Sequence, residues 1–439
     1  MTPPPGEHAG RPGLALGDEV EVAVSGFAHG GSGVARHEGQ VLFVRHALPG
    51  ERVRARVGDV GSGGRFVRAD AVDVLSASPD RVEPPCPWAG PGRCGGCDLQ
   101  HVALPRQRVL KAGVVQEQLS RLAGLDLEVE VEPVPGDEGG LDWRTRVEFA
   151  VDVTGRAGLR RHRSHDVVPV DHCRIAAPGV DRLGVTARSW PGAEAVDAVA
   201  PSVGDPVAVT VPADDVPEVT ERVEASWRTP EGEERGFRRD FTVSARAFWQ
   251  VHPGAASTFL AAVMEGLDVR PGERAIDLYG GSGLFAAALS EAVGPGGQVL
   301  LVEADPEASG RARDDLTGAG NVAVLTARVD DAFGVERSGR RGRPRRRGRG
   351  AARSPLLPER TDVVVLDPPR TGAGPGVCRA VAAMRPRAVA YVACDPAALG
   401  RDTRVLLDAG YRLGQLRAFD AFPMTHHVEC VAHFVREGG

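Results

Sequence analysis

One cysteine closes an apolar run in "AYVACDPAALGRD", residues 390–402, and an Asp-Pro turn follows it. A free thiol titrates near about 8.5 and is a strong nucleophile once partly ionised. A lone Cys in an apolar run is also a common inert core residue. Whether Cys394 is reactive depends on what shares its strand tip. Three other apolar runs end on a carboxylate or a turn: "DLYGGSGLF" at Asp277, "VLLVEAD" at Glu303 and "VVVLDPPRTG" at Asp367. A last stretch, "FPMTHHVECVAHF", sets Glu429 just before a final apolar run. A carboxylate brought there is a candidate general base. His426 and His427 could be metal ligands, but no third ligand is spaced to join them, and a solvated turn accounts for His426 more simply.

The glycine turn after Asp277 lets a ligand approach the backbone closely. Glu303 ends the next strand about 20 residues on, where an acidic side chain accepts bonds from ribose hydroxyls. Ala286 stands where the strict dinucleotide turn has its last Gly, and there is no phosphate-loop lysine. An adenosine ligand without a bound pyrophosphate fits better, and S-adenosylmethionine is the commonest of these. At the third tip, Pro368 and Pro369 force a rigid extended turn beside Asp367. An Asp-Pro-Pro-Tyr version would point to methylation of an exocyclic amino group, but Arg370 holds the fourth position.

These tips need a scaffold. From about residue 247 the chain alternates apolar strands with helical runs, which predicts a doubly wound, mostly parallel α/β sheet. Such sheets bind ligands at the carboxyl ends of their strands, so the tips share one cleft. Upstream, residues 14–76 hold "EVEVAVSGFA", "GQVLFVRHAL", "ERVRARVGDV" and "FVRADAVDVL", short runs broken by Gly and Pro, as in a small barrel. Residues 107–123 have helical spacing. Residues 125–245 read as strand-rich, with "RVEFAVDV" and "PVAVTV" clearest and the acidic stretch 213–236 read as helix or loop. Residues 1–13 are Pro/Gly-rich and expected to be disordered. The Arg/Gly run 337–354 is expected to be either a solvated linker or a phosphate-binding arm.

Bulk composition narrows the class. The 439 residues carry a formal net charge of −6, so global charge makes no case for nucleic acid. No apolar run is long enough to span a membrane, and the N-terminal stretch lacks a signal-peptide core, so a cytoplasmic location is expected. An odd count of seven cysteines in such a chain argues against a disulfide framework and for metal or catalytic roles. Lys111 is the sole lysine, and nothing in the sequence gives it a role.

Taken together, "FWQVH" (248–252), "DLYGGSGLF", "LLVE", "LDPPRTG", "YVACDPAALGRD" and "HHVECV" resemble the uracil-5-methyltransferase family of RNA-modifying enzymes. The segment "GGSGVARHEGQVLFVRHALPGERV" resembles the TRAM RNA-binding barrel of its ribosomal RNA members. The resemblance implies a TRAM barrel at 14–77, a central domain at 78–246 and a Rossmann-like class I methyltransferase domain at 247–439. It implies Cys394 as nucleophile, Glu429 as general base, and Gln250, Tyr279, Glu303 and Asp367 as contacts to S-adenosylmethionine. It further implies that Cys86, Cys94, Cys97 and Cys173 hold a [4Fe–4S] cluster, although four thiolates suit tetrahedral zinc as well. Asp395 and His252 replace residues that are usually Asn in that family, and Gly280 replaces a Cys. The adenine contact, near residues 328–330, does not align.

The implied chemistry explains the residue types. Uracil C5 is a poor nucleophile until a thiolate adds to C6 and makes C5 carbanion-like. A base must then remove the C5 proton so that the thiolate can leave. The expected substrate is RNA, with 23S ribosomal RNA favoured, no membrane partner and a monomeric state. The alternatives are a transfer RNA uracil-5-methyltransferase, a methyltransferase with another target, and a TRAM-type RNA-binding protein with an inactive catalytic half.

Overall fold

The computed structural model describes residues 13–335 and 352–438. Residues 1–12 and most of the Arg-rich segment lie outside the described residues. Strands β1 (Glu19–Ala28), β2 (Ser32–His37), β3 (Gln40–Arg45), β4 (Arg52–Val60) and β5 (Phe66–Ser76) close into a barrel in the order β1-β2-β3-β5-β4. Period-2 alternation turns Val22, Val24, Val53, Ala55, Val57, Val67 and Ala69 inward to form its core. Closure leaves no unpaired edge.

Helix α1 (Leu104–Ala123) carries Pro in its first turn and stops at Gly124, whose φ of 73° is left-handed. It leads into the short strand β6 (Val131–Pro133). An antiparallel sheet follows, ordered β11-β10-β7-β8-β9, from β7 (Arg146–Val151), β8 (Ala157–Arg160), β9 (Val167–Pro169), β10 (Ala195–Val199) and β11 (Val207–Val211), with the short helix α2 (Pro178–Arg182) after β9. The stretch 213–236 is not the expected helix or loop. Most of it belongs to a long hairpin, β12 (Glu218–Arg228) with β13 (Glu234–Ser244). Its apolar residues Val219, Val223, Phe237 and Phe241 alternate with charges and bury on one face. Glu221 also points inward and is paired with Arg146 at 2.8 Å, which hides the alternation from a hydropathy reading.

The C-terminal sheet has eight strands in the order β16-β15-β14-β17-β18-β20-β19-β6. They are β14 (Arg274–Leu278), β15 (Gln298–Glu303), β16 (Val322–Thr326), β17 (Val363–Leu366), β18 (Ala388–Ala393), β19 (Tyr411–Asp420) and β20 (Glu429–Arg436), together with β6. Strands β14 to β18 run parallel, and β20 enters antiparallel between β18 and β19. Alternate residues feed two cores. Ala275, Leu301, Val365 and Ala390 face α3 (Ala255–Leu267) and α4 (Leu284–Val293). Ile276, Val302, Leu366 and Tyr391 face the other layer, which holds α7 (Gly374–Ala383) and α8 (Pro396–Asp408). Burial on both faces is why these strands read as continuous apolar runs. The remaining helices are α5 (Pro306–Leu316) and the short α6 (Val329–Ala332). Helix α1 and strand β6 fall in sequence within the expected central domain, yet α1 packs through Val115 and Leu119 into the core shared with α8, and β6 pairs with β19.

Candidate active site

Strand order reverses at β14: the chain goes from β14 to β15 and β16 on one side, then crosses to β17 and β18 on the other. The crevice at this switch point is where such sheets hold ligands. The turn after β14 starts with Tyr279 at φ 65° and reaches α4 through Gly283 at φ 91°, a conformation that favours glycine. Glu303 locks this turn by accepting the Gly281 N–H at 2.9 Å and the Asp305 N–H at 2.7 Å. Asp277 is fully buried. Its Oδ2 accepts the Ala286 N–H at 2.9 Å, and its Oδ1 has no partner. Burial, with the charges of Asp367 and Glu303, pushes its carboxyl up to about 8. The cleft therefore has an unpartnered buried acceptor and a pinned carboxylate, which suits a cationic ligand carrying hydroxyls, as S-adenosylmethionine is.

Cys394 and Glu429 meet at the ends of two neighbouring strands. Ala393 of β18 pairs with Cys430 of β20, so the next position sets Cys394 against Glu429. Glu429 is 4% exposed, and no hydrogen bond holds its carboxyl among the described residues. Burial and the Asp367 charge raise its pKa well above the carboxylate range, while Arg370 opposes them. Cys394 is half-buried, and burial, Glu429 and Asp367 push its thiol up to about 12, again against Arg370. Burial and Glu303 lift Asp367 to about 7. Cys394, Glu429, Asp367, Glu303 and Asp277 thus form one electrostatic cluster, and Arg370 is a cation that acts on both Cys394 and Glu429. In the sequence, Arg370 stands out only for the aromatic residue it displaces.

Surrounding bonds fix these groups. Asp402, in the "LGRD" stretch, accepts from Tyr391 Oη at 2.6 Å and from the Gly374 N–H at 3.0 Å, tying the loop after Arg370 to α8. Asp395 caps α8 by accepting the Ala398 N–H at 2.7 Å. The barrel reaches this turn too: His29, on the β1–β2 hairpin, lies 3.2 Å from Asp395. Neighbouring Gly31 seats against His426, where a Cβ would stand 2.7 Å from the His426 Cβ. His426 is no solvated turn residue. Its Nδ1 lies 2.6 Å from Asp98, which Arg45 of the barrel also engages at 3.2 Å. Asp420, at the end of β19, is fully buried against Lys111 at 2.5 Å.

The other expected contacts are placed less tightly. Tyr279 is half-buried at the cleft, within electrostatic reach of Asp330 after β16. Asp330, paired with Arg328 at 3.1 Å, gives the unaligned segment a defined acid. Gln250 is half-buried on the loop before α3, and no described contact links it to the cluster. His252 is buried and stacked on Trp143 at 5.7 Å. Cys86, Cys94, Cys97 and Cys173 all line one cavity of about 170 Å³. Burial, with the charge of neighbouring Cys94, pushes Cys173 up to about 11. The donors are of the type a cluster or zinc takes, but among the described residues no three His, Cys, Asp or Glu side chains close on a common metal position. Among the described residues no helix is long and apolar enough to cross a membrane.

Comparison with known proteins identifies the family. A model of the TRAM domain matches residues 14–72, and one described as tRNA (Uracil-5-)-methyltransferase matches residues 240–437. The chain is 47% identical to an uncharacterized RNA methyltransferase of Streptomyces avermitilis, over 95% of this chain and 98% of that one. It is 30% identical to the 23S rRNA (uracil(1939)-C(5))-methyltransferase RlmD of Shewanella amazonensis, over 95% of this chain and 96% of the relative. The crystal structure of Pyrococcus abyssi tRNA (uracil-54, C5)-methyltransferase with S-adenosyl-L-homocysteine has the same fold, with a TM-score of 0.61 at 21% identity over 94% of this chain and 99% of that one. With relatives matched along nearly its whole length, this chain belongs to the S-adenosylmethionine-dependent RNA uracil-5-methyltransferase family.

Proposed function

We propose that the protein methylates C5 of a uridine in 23S ribosomal RNA through a covalent bond between Cys394 and C6 of the base. The observation that carries this is the register of β18 and β20, which sets Cys394 beside Glu429. Support for a ribosomal substrate is the full-length similarity to a 23S rRNA enzyme. S-adenosylmethionine, when bound, supplies the methyl group and a positive sulfonium that offsets the carboxylates holding Cys394 as a thiol. Glu303, Asp367, Tyr279 and Gln250 are the residues proposed to hold it.

The Cys394 thiolate adds to C6, and the electron pair of the C5–C6 bond makes C5 nucleophilic. After C5 takes the methyl group, the Glu429 carboxylate removes the C5 proton. The pair left behind reforms the double bond and expels the thiolate. Arg370 favours both anionic forms, since it alone among the groups acting on both Cys394 and Glu429 lowers their pKa. Asp367 and Glu429 cannot both be carboxylates cheaply in this setting. We further propose that Cys86, Cys94, Cys97 and Cys173 hold a [4Fe–4S] cluster, with zinc the alternative. The support is their shared cavity.

Trapping tests the mechanism. Glu429→Gln should add to C6 and methylate, yet stay bonded to the product, giving a methyl-donor-dependent shifted band on a denaturing gel with labelled 23S rRNA. Cys394→Ala should give neither band nor product. Methylation by Cys394→Ala would overturn the C5 mechanism, and normal turnover by Glu429→Gln would move the base to another group.

A further inference from the structure

The hairpin between β8 and β9 carries "RRHRSHD", residues 160–166. Arg160, Arg161, His162, Arg163 and His165 are all exposed. Arg161 is paired with Asp166 at 3.2 Å, but Arg160, Arg163 and His165 have no ion-pair partner among the described residues. On the barrel, four arginines are compensated across neighbouring strands, Arg52 by Glu21, Arg54 by Asp73, Arg56 by Glu19 and Arg68 by Asp59, while the exposed Arg36 and Arg65 stand apart from one another without an ion pair among the described residues. In a chain of net charge −6, this one solvent-facing turn gathers two unpaired guanidiniums within four residues. Free cations on an exposed loop, with their neighbours' charges already spent, favour an external polyanion.

The loop is also held in place. Arg161 N–H donates to the Asp166 carbonyl at 2.9 Å, Asp166 N–H donates to Ser164 Oγ at 3.0 Å, and Arg163 takes φ 52° to make the turn. The cysteine loop carries it from below. Gly95 N–H donates to the Arg160 carbonyl at 3.0 Å, and Cys94 bridges to Arg161. A Cβ on Gly95 would lie 2.5 Å from the His162 nitrogen, so only glycine allows this approach. Three residues further on, the same cysteine loop grips the catalytic side. Asp98 N–H and Leu99 N–H both donate to the Met424 carbonyl at 3.0 Å, and Asp98 holds His426. His427 follows, with Nε2 3.5 Å from Arg370, which acts on Cys394. The cysteine loop therefore links the 160–165 turn to the His426–His427 turn and, through His427, to Arg370; burial lowers the pKa of His162 and, to about 3, that of His427, so the fixed positive charge lies on the arginines. Glu148 is the one acid that lines the groove between the loops.

We infer that residues 160–165 form a phosphate-binding loop for the RNA strand that feeds the target uridine into the cleft, with the four-cysteine loop as its mount. The inference rests on the RNA methyltransferase reading. Phosphate contacts position a strand without reading sequence, and each one lost lowers the salt dependence of binding. The test compares the full-length protein with Arg160→Ala/Arg163→Ala, two exposed side chains whose loss leaves no partner unpaired. Binding of transcribed 23S rRNA is measured by filter retention across a salt series, and methylation kinetics are run in parallel. Loss of two phosphate contacts should reduce the slope of log affinity against log salt by about 1.4, from about 0.7 per contact on single-stranded RNA. KM for RNA should rise roughly tenfold with kcat at saturating RNA unchanged. Arg160→Lys/Arg163→Lys should restore most of both, and thermal melts should match the parent. An unchanged slope and KM, or a fall in kcat alone, would overturn the loop assignment while leaving the methyltransferase reading intact. A parent protein that neither binds nor methylates RNA would instead overturn the reading beneath it.

Discussion

Lys111 offers a sharp quantitative test, because its ammonium is entirely buried and so is its partner. Both Lys111 and Asp420 side chains are 0% exposed, with Nζ 2.5 Å from Oδ1. Nζ also donates to the Phe422 carbonyl at 3.1 Å. Burial lowers the lysine pKa, and Asp420 opposes that loss by its charge and hydrogen bond. Lys111→Met keeps the stem volume but removes the charge, leaving Asp420 with Arg108 at 3.4 Å, itself 25% exposed. Breaking one side of a buried pair costs about 3–5 kcal/mol, and Arg108 retains part of the compensation, so roughly 3 kcal/mol is expected. At about 2–4 °C per kcal/mol for a domain of this size, the C-terminal transition should fall by about 6–12 °C in a thermal melt. Lys111→Met/Asp420→Leu should recover most of it, since no fully buried charge remains and Arg108 keeps its access to water. A single variant that melts with the parent, or a double variant as unstable as the single, would refute the claim that the pair is electrostatically coupled. The pair joins residues 309 positions apart and braces the loop that leads to Glu429, so the single variant should also lose activity per folded molecule.

Glu303→Ala should weaken S-adenosylmethionine binding about tenfold in calorimetry, the worth of a charge-assisted hydrogen bond of roughly 1.5 kcal/mol, and an unchanged affinity would remove Glu303 from the cofactor site. The His29–Asp395 contact predicts a pH effect. Its hydrogen bond with Asp395 raises the His29 pKa above its ordinary value. The stabilisation is therefore fully present below the unfolded value of about 6.5 and lost as pH rises through the higher folded value. At 38% exposure water screens it, so the effect is small. The melting difference between the parent and Asp395→Asn should close as pH rises through that window, and a pH-independent difference would refute the pairing.

The C-terminal half was legible because its strands are buried on both faces and its tips carry the chemistry. Apolar runs, glycine turn and acidic ends are local signals, and they sufficed to bring Glu303, Asp367, Cys394 and Glu429 to one crevice. The parts that escaped are non-local. Nothing in "LPRQRVLKAGVVQ" announces that Lys111 meets Asp420, since each looks alone like an ordinary surface charge. The β12–β13 hairpin was obscured because Glu221 takes an inward position, where Arg146 neutralises it. His426 looked like a turn residue until Asp98 came to it from the cysteine loop.

These long-range pairs share one pattern. Arg45, His29, Asp98 and Lys111 all come from the first 111 residues, and they act on the two turns beside Cys394 and Glu429, Arg45 doing so through Asp98. Strand register alone brings the two catalytic residues side by side. Keeping them there requires the turns on either side, at Asp395 and at residues 420–427, to hold still. The barrel hairpin, the cysteine loop and α1 add constraints through charge to the apolar packing of Ala421 and Met424. It follows that the N-terminal region contributes to the rigidity of the candidate site as well as forming a barrel of its own. A sequence reading that divides the chain at domain boundaries loses that coupling, because each partner then sits in a domain where it has no visible purpose.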